Sequence, residues 1–124
     1  MIFNTRPVPK PRMTRRDKWA KRDCVLNYYS FKDEIKLQAR DYVLPDSFRV
    51  VFGMPFPQSY SFKKRETLLG QPHQVKPDLD NCLKAIMDVL SDNDSNVWKI
   101  EASKIWTSGN GFIQIEPLDY EDSQ

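Results

Sequence analysis

The sequence predicts a single α+β domain with a mixed, partly antiparallel sheet and two to three helices, and three observations lead to this prediction. The length of 124 residues suits one domain. Hydrophobic residues make up 40% of the chain and charged residues 29%, which is typical of a packed core under a highly charged surface. Hydrophobic patterns along the chain follow the order β-α-β-α-α-β-β, so both kinds of element contribute to the core.

The N-terminal part of the chain predicts a short strand and, after a basic segment, a helix. The strand is expected over residues 2–5 and the helix over residues 30–43, where apolar residues recur at a spacing near that of a helical turn. Ser30 is the expected N-cap, because a serine hydroxyl can accept a hydrogen bond from the first turn. Pro45 bars continuation of the helix, because proline lacks a backbone N–H.

A second strand and a short helix follow. The apolar, β-branched run over residues 48–52 predicts a strand that ends at Gly53 and Pro55. The short helix is predicted over residues 61–69, with Gly70 in the position that follows a helix C-terminus.

The C-terminal part predicts one strongly amphipathic helix and two strands. The helix covers residues 79–90, and the strands cover residues 100–107 and 112–116. Residues 108–111 contain two glycines, which can adopt the positive φ of a tight turn between the strands.

The predicted domain spans residues 1–124, with a basic, proline-rich N-terminal arm over about residues 6–24 and an acidic tail over about residues 117–124. Residues 1–24 hold eight basic and two acidic residues, a net charge of +6. Such an excess indicates a polyanionic partner, although a solvated basic loop explains the charge alone equally well. The candidate DNA-binding residues are Lys10, Arg12, Arg15, Arg16, Lys18, Lys21 and Lys76.

The cysteines and the hydropathy pattern indicate a cytoplasmic protein. Cys24 and Cys82 are far apart and form no C-x-x-C pair, so we expect reduced thiols and no zinc site. No apolar run approaches the roughly 18 residues of a membrane-spanning helix. The N-terminus lacks the apolar stretch of a secretory signal, so none is expected.

Two carboxylates fall together at the start of the helix predicted over residues 79–90. Asp78 stands at the N-cap, Asp80 lies in the first turn, and Lys84 follows Asp80 by one turn. An N-cap acid and an i,i+4 ion pair also occur in helices without any function, where they stabilise the helix by about 0.5–1 kcal/mol and a few tenths respectively.

Further acids raise the possibility of a metal site. Asp92, Asp94 and Glu101 follow the helix, and clustered carboxylates repel one another unless a cation neutralises them. Oxygen ligands without histidine or cysteine suit Mg²⁺. Mg²⁺ among carboxylates, beside a basic DNA-binding surface, is typical of a site that cleaves phosphodiesters.

The chain resembles the RusA-type Holliday junction resolvases, small endodeoxyribonucleases common in phages and prophages. The resemblance rests on the string K-P-D-L-D-N-x-x-K-A-x-x-D from Lys76 to Asp88 and on P-x-P-K-P-R from Pro7 to Arg12. It implies an α+β fold, a homodimer, and three acidic residues that act with Mg²⁺ and a lysine. By position, Asp78 and Asp80 match the first two acids, and Lys84 matches the lysine.

The resemblance leaves the third acid open. Family members usually carry an acidic pair shortly after a tryptophan that follows the motif helix. Here Ile100 and Glu101 stand in that place after Trp98, which makes Glu101 the first candidate. The linker before Trp98 is about two residues longer than usual, so Asp94 and then Asp92 are the alternatives.

Other residues near these motifs have a structural and a functional interpretation. His73 can contact a phosphate or shuttle a proton, but a histidine there is more often a surface loop residue. Trp19 can stack on DNA or pack onto the domain, whereas Trp98 and Trp106 are expected to make core or dimer contacts rather than to stack on bases. Asp88 is expected to support Lys84 on the helix face rather than to bind metal.

The predicted function is a Mg²⁺-dependent, structure-selective endodeoxyribonuclease that resolves four-way DNA junctions in recombination and repair. Asp78, Asp80 and Glu101 are the expected metal ligands, and Lys84 is expected to lie near the scissile phosphate. A homodimer would place two sites for paired cuts in a two-fold junction. The alternatives are a less selective nuclease on branched DNA and a non-catalytic junction-binding module.

Overall fold

A four-stranded mixed sheet carries the fold, with helices packed on one of its faces. The computed structural model describes residues 1–12, 23–91 and 94–118. The strands are β1 (Ile2–Phe3), β2 (Ser47–Pro55), β3 (Lys99–Thr107) and β4 (Phe112–Pro117). The α-helices are α1 (Asp23–Ala39), α2 (Phe62–Leu68) and α3 (Leu79–Leu90), and a 3₁₀ turn covers Asp94–Asn96.

The strand order is β1-β4-β2-β3, which combines parallel and antiparallel pairing. β2 and β3 are parallel, in a register that runs from Ser47 opposite Lys99 to Pro55 opposite Thr107. β4 is antiparallel to both β2 and β1. The prediction of an α+β domain with a mixed sheet and two to three helices is therefore confirmed within the described residues. β3 and β4 lie on opposite sides of β2 in the sheet, so the glycine turn that joins them crosses the end of β2.

The core lies between one face of the sheet and the helices α1 and α3. Alternate residues of β2 point into it, and Phe48, Val50 and Phe52 are fully buried there. The helices contribute apolar side chains such as Ile35 and Ile86. Burial of one such side chain stabilises the fold by about 1.5–3 kcal/mol.

The bounds of α1 differ from the prediction. The helix begins at Asp23 rather than at Ser30, because Val25 and Tyr28 extend its buried stripe by two turns. It ends at Ala39, because Arg40 adopts a positive φ of 48°, so Pro45 does not determine the end of the helix. The predicted N-cap at Ser30 was therefore wrong, and that residue lies inside the helix.

β2 also runs further than predicted. It continues through Gly53 to Pro55 instead of ending at the glycine. A Cβ atom at Gly53 would lie 2.3 Å from Cε1 of Phe112, so the phenyl ring occupies the space that any other side chain would need. The glycine here permits a close contact within the sheet rather than a turn.

The other elements agree with the sequence more closely. α3 has the predicted bounds, and Ser61 caps α2 by accepting a hydrogen bond from the Lys64 N–H at 3.2 Å. The turn glycines Gly109 and Gly111 have φ of 74° and 96°. β1 is shorter than predicted. Across the described parts of the chain, no helix combines the length and the apolar character that a membrane crossing requires.

Candidate active site

The N-terminal end of α3 presents two carboxylates to solvent. The helix buries Cys82, Ala85 and Ile86 against the sheet, and this burial directs Asp80 outward. Asp78 occupies the N-cap in an extended conformation, with φ −66° and ψ 144°. No described backbone N–H of the first turn donates to its carboxylate, so helix capping by the side chain does not explain why an acid stands here. Both side chains are available to a ligand.

Lys84 lies one turn along the same face of α3. Its Nζ is 3.9 Å from Oδ2 of Asp80, which confirms the predicted i,i+4 pair. The two side chains are 66% and 69% exposed, so water screens their attraction, and pairs of this kind contribute only about 0.3–0.5 kcal/mol to stability. Such a weak pair leaves the Lys84 ammonium able to contact a ligand.

Lys104 of β3 holds the segment that leads into Asp78, and the sequence interpretation missed it. Its Nζ donates to the carbonyl oxygens of Val75 at 2.8 Å and Pro77 at 2.6 Å. Its position in the strand could have identified it from the sequence. Side chains alternate between the two faces of a strand, and Lys104 lies on the same face as Ile100 and Ala102, which pack against the core. A cation on that side of a predicted strand needs nearby acceptors, which here are two backbone carbonyls.

His73 lies in a packed environment rather than on the surface. Its exposed fraction is 6%, its backbone N–H donates to the Lys104 carbonyl at 3.0 Å, and its ring centroid lies 4.3 Å from that of Trp106. Burial, with a smaller contribution from the charge of Lys104, lowers the pKa of His73. The interpretation as a surface loop residue was wrong. Trp106, which is 5% exposed, packs as predicted.

The N-terminal arm lies along α3. The Lys10 N–H donates to the Asn81 carbonyl at 3.1 Å, and the Lys10 ammonium lies 3.4 Å from Oδ1 of Asp88. Arg12 is exposed beyond Lys10, and Lys76 is exposed two residues before Asp78. The candidates Arg15, Arg16, Lys18 and Lys21, together with Trp19, lie outside the described residues.

Asp88 joins the arm, α1 and α3. It accepts a short hydrogen bond from the Tyr28 hydroxyl and lies 3.3 Å from the Lys32 ammonium, in addition to its contact with Lys10. The hydrogen bond from Tyr28 and the two ammonium groups lower the pKa of Asp88, against the opposing effect of its partial burial. Asp88 was expected to support Lys84, whereas these contacts support the arm.

The structure does not bring Glu101 to Asp78 and Asp80. Arg49 donates to Oε2 of Glu101 at 2.9 Å from both Nε and Nη2. The two residues are register partners on β2 and β3, and they alternate with core residues, so they lie on the sheet face away from α3. Within the described residues, no three His, Cys, Asp or Glu side chains lie close enough together to hold a metal ion.

Asp94 lies at the other end of α3 from Asp78. α3 has twelve residues, which corresponds to about 18 Å of helix, and Asp94 follows its C-terminus. Trp98 N–H donates to the Asp46 carbonyl, which places this linker at the start of β2 and β3. Lys104, in the second half of β3, contacts the residue before Asp78, so the start of α3 lies away from that end of the sheet. Asp92 lies outside the described residues.

Comparison with protein-family models decides the family. The model described as Endodeoxyribonuclease RusA matches residues 4–116, which include the arm, the carboxylates of α3 and all of β3. The chain belongs to the RusA endodeoxyribonuclease family. It is an endodeoxyribonuclease, a hydrolase of DNA phosphodiesters. RusA-family nucleases act on branched DNA junctions and generally depend on a divalent metal ion. Comparison with curated proteins and with solved structures finds no match.

Proposed function

We propose that this RusA-family chain is a Mg²⁺-dependent endonuclease that resolves four-way DNA junctions in recombination and repair, and that Asp78 and Asp80 hold the metal ion. One observation carries the proposal: two exposed carboxylates stand at the start of α3 without the capping bond that would explain Asp78. They lie beside the arm residue Lys10, whose backbone contacts Asn81 in the first turn of the same helix.

The donor set fits Mg²⁺. Asp78 and Asp80 offer hard carboxylate oxygens, and Mg²⁺ is commonly bound through one or two carboxylates, with water and substrate phosphate completing the shell. When bound, Mg²⁺ supplies an activated water and positive charge beside the scissile phosphate. The chain's own contribution is to hold the two carboxylates on a rigid helix start, which Lys104 fixes through the carbonyls of Val75 and Pro77.

Lys84 and the arm are proposed to orient the DNA. The Lys84 ammonium is 66% exposed beside Asp80, so it can approach a phosphate and offset negative charge in the transition state. The Lys10 backbone lies at the first turn of α3, and Lys76 is exposed two residues before Asp78. We propose a phosphate-binding role for these two residues and for Arg12, Arg15, Arg16, Lys18 and Lys21. Such contacts bind DNA without regard to sequence.

We further propose a homodimer in which a third carboxylate comes from the second copy of the chain. Within one chain, Glu101 faces away from α3, and Asp94 lies at the opposite end of that helix. A two-fold arrangement can bring the start of α3 in one copy to the end of α3 in the other. Asp94 is the proposed third ligand, because it lies at the end of α3 that such an arrangement brings to the start of α3 in the other copy.

We also propose a cytoplasmic location, where thiols remain reduced. Within the described residues both cysteines are free, with Cys24 exposed and Cys82 buried. Burial raises the pKa of the Cys82 thiol to about 11, so this group behaves as a small apolar residue.

Cleavage of defined DNA substrates tests the function. A four-way junction, a flap and a linear duplex are incubated separately with the protein at equal concentration, in Mg²⁺ or in EDTA. We expect nicks in the junction in Mg²⁺ only, with much slower nicking of the other substrates. Equal nicking of all three would indicate a less selective nuclease. Tight junction binding without nicks in any divalent metal would indicate a binding module and overturn the proposal.

A further inference from the structure

The helix α2 separates two surface features that the proposed active site does not use. On one side, Phe56, Phe62 and Leu69 line a half-open cavity of about 270 Å³, with Arg65, Glu66 and the turn residues Ser108 and Gly109 at its edges. We call this the α2 cavity. On the other side, Lys63, Lys64 and Leu68, together with Ser61 and Thr67, line an open cleft of about 440 Å³, which we call the α2 cleft.

The walls of the α2 cavity are held in place before any ligand binds. The Phe56 ring stacks on Trp106, with centroids 5.4 Å apart and ring planes 6° from parallel. Arg65 donates from Nε to the Tyr60 carbonyl at 3.0 Å and from Nη2 to the Pro57 carbonyl at 3.1 Å, so it ties α2 to the preceding loop. A pre-formed cavity binds its ligand without a large cost of ordering.

Phe62 is a strongly exposed aromatic residue at this cavity. Its exposed fraction is 77%, and Leu69 at the other end of α2 is 52% exposed. Exposed apolar side chains that gather at one concave site mark a binding surface more often than isolated ones do. An aromatic face in such a place is a stacking platform for a planar ring.

Charge decides which planar ring fits. Lys63, Lys64 and Arg65 are consecutive on α2, with Glu66 as the acidic residue of the helix. The Lys64 ammonium lies 3.8 Å above the Tyr60 ring, which orders one wall of the α2 cleft. The exposed lysines Lys63 and Lys64 on one side of the helix and the aromatic cavity on the other suit a nucleotide: a phosphate for the lysines and a base for the cavity.

We infer that α2 binds an unpaired nucleotide of branched DNA, with the base in the α2 cavity against Phe62 and the adjoining phosphates at Lys63 and Lys64. This inference rests on the proposed function: every base of a four-way junction can pair, and binding in the α2 cavity takes a base at the branch point out of its pair. α2 lies at the same end of the sheet as Asp78, since the segment that links them pairs with β3 at Lys104 and Trp106. A base held here would orient the branch point relative to the carboxylates.

The test measures binding without cleavage, in EDTA, to two probes: a short oligothymidylate strand, in which every base is unpaired, and a linear duplex. We expect Phe62→Ala to weaken binding of oligothymidylate about fivefold or more, because stacking of one base contributes about 1–3 kcal/mol. Duplex binding should stay within about twofold, because phosphate contacts dominate it. Phe62→Trp should bind oligothymidylate at least as well as the parent.

Leu37→Ala is the matched control, because Leu37 is a 70% exposed apolar residue on α1 and its removal should change neither affinity. Phe62→Ala should keep the thermal unfolding temperature of the parent. Ultraviolet cross-linking of a strand that carries 5-iododeoxyuridine should label the peptide that contains Phe62.

Three outcomes would overturn the inference. The first is unchanged oligothymidylate binding by Phe62→Ala, and the second is an equal loss for both probes. The third is a change of oligomeric mass in Phe62→Ala with the preference for the unpaired strand intact, which would assign the cavity to a second copy of the chain. None of these measurements requires metal or nicking. Failure of the proposed catalytic function would therefore be seen separately, in the cleavage assay.

Discussion

The ammonium group of Lys104 lies 2.6 Å from the carbonyl oxygen of Pro77, the residue immediately before Asp78. The same ammonium binds the Val75 carbonyl, so one side chain of β3 fixes the three residues before Asp78. Because those residues set the direction in which the chain enters the helix, Lys104 acts as a positioning residue for the N-cap carboxylate. Its contribution is geometric, and it need not touch DNA.

Replacement of Lys104 by methionine should reduce both stability and nicking. Loss of hydrogen bonds from a charged donor costs about 1.5–3 kcal/mol in the free energy of unfolding, measured by urea denaturation. The kcat for junction nicking should fall with little change in junction affinity in EDTA, and Lys104→Arg should restore part of it. Lys36→Met, which removes an exposed lysine of α1, is the control. An unchanged kcat in Lys104→Met would contradict a positioning role.

The contacts of Asp88 predict a pH-dependent contribution to stability. Its pKa in the folded protein lies below the ordinary value of 3.8, so its ionised form stabilises the fold above that value. The contribution is lost as pH falls through the lower folded pKa. Asp88→Asn should therefore destabilise the protein near neutral pH, with a difference from the parent that shrinks in strong acid. Asp33→Asn, which removes an exposed carboxylate of α1, is the control.

The third carboxylate can be located by mixing inactive subunits. We expect Asp80→Asn and Asp94→Asn each to lose nicking, while Glu101→Gln keeps it, because removal of the exposed Arg49 pair costs only about 0–1 kcal/mol. If the ligand comes from the second copy, a co-refolded mixture of Asp80→Asn and Asp94→Asn chains regains one intact site per heterodimer. An inactive mixture would place all ligands in one chain. Loss of nicking in Glu101→Gln, with nicking retained in Asp94→Asn, would instead identify Glu101 as the third ligand.

The features predicted correctly from the sequence are those that depend on local spacing. The bounds of α3, the N-cap position of Asp78 and the Asp80–Lys84 pair all follow from a helical period of 3.6 residues. The helix α2 also agrees with the predicted residues 61–69, apart from one residue at each end. A short window of sequence contains all the information that such features need.

The features that the sequence interpretation missed depend on contacts between distant segments. The Arg49–Glu101 pair joins residues 52 positions apart, and it requires the parallel pairing of β2 with β3. The hydrogen bond from Lys104 to Pro77 requires that α3 begin above the same strand. The predicted start of α1 lies after the observed start. Its first buried residues, Val25 and Tyr28, directly follow a highly charged segment, so their helical spacing is difficult to recognise in the sequence.

The most direct test of the central claim, that Asp78 and Asp80 form a metal-dependent active site, is the comparison of nicking and binding by Asp80→Asn. We expect Mg²⁺-dependent nicking of a four-way junction to fall more than about a hundredfold, because one ligand of the ion is lost. Junction affinity in EDTA should be unchanged or slightly higher, because removal of a carboxylate reduces repulsion of phosphate. Asp33→Asn should match the parent in both measurements. Nicking by Asp80→Asn within about tenfold of the parent, at the same Mg²⁺ concentration, would contradict the assignment.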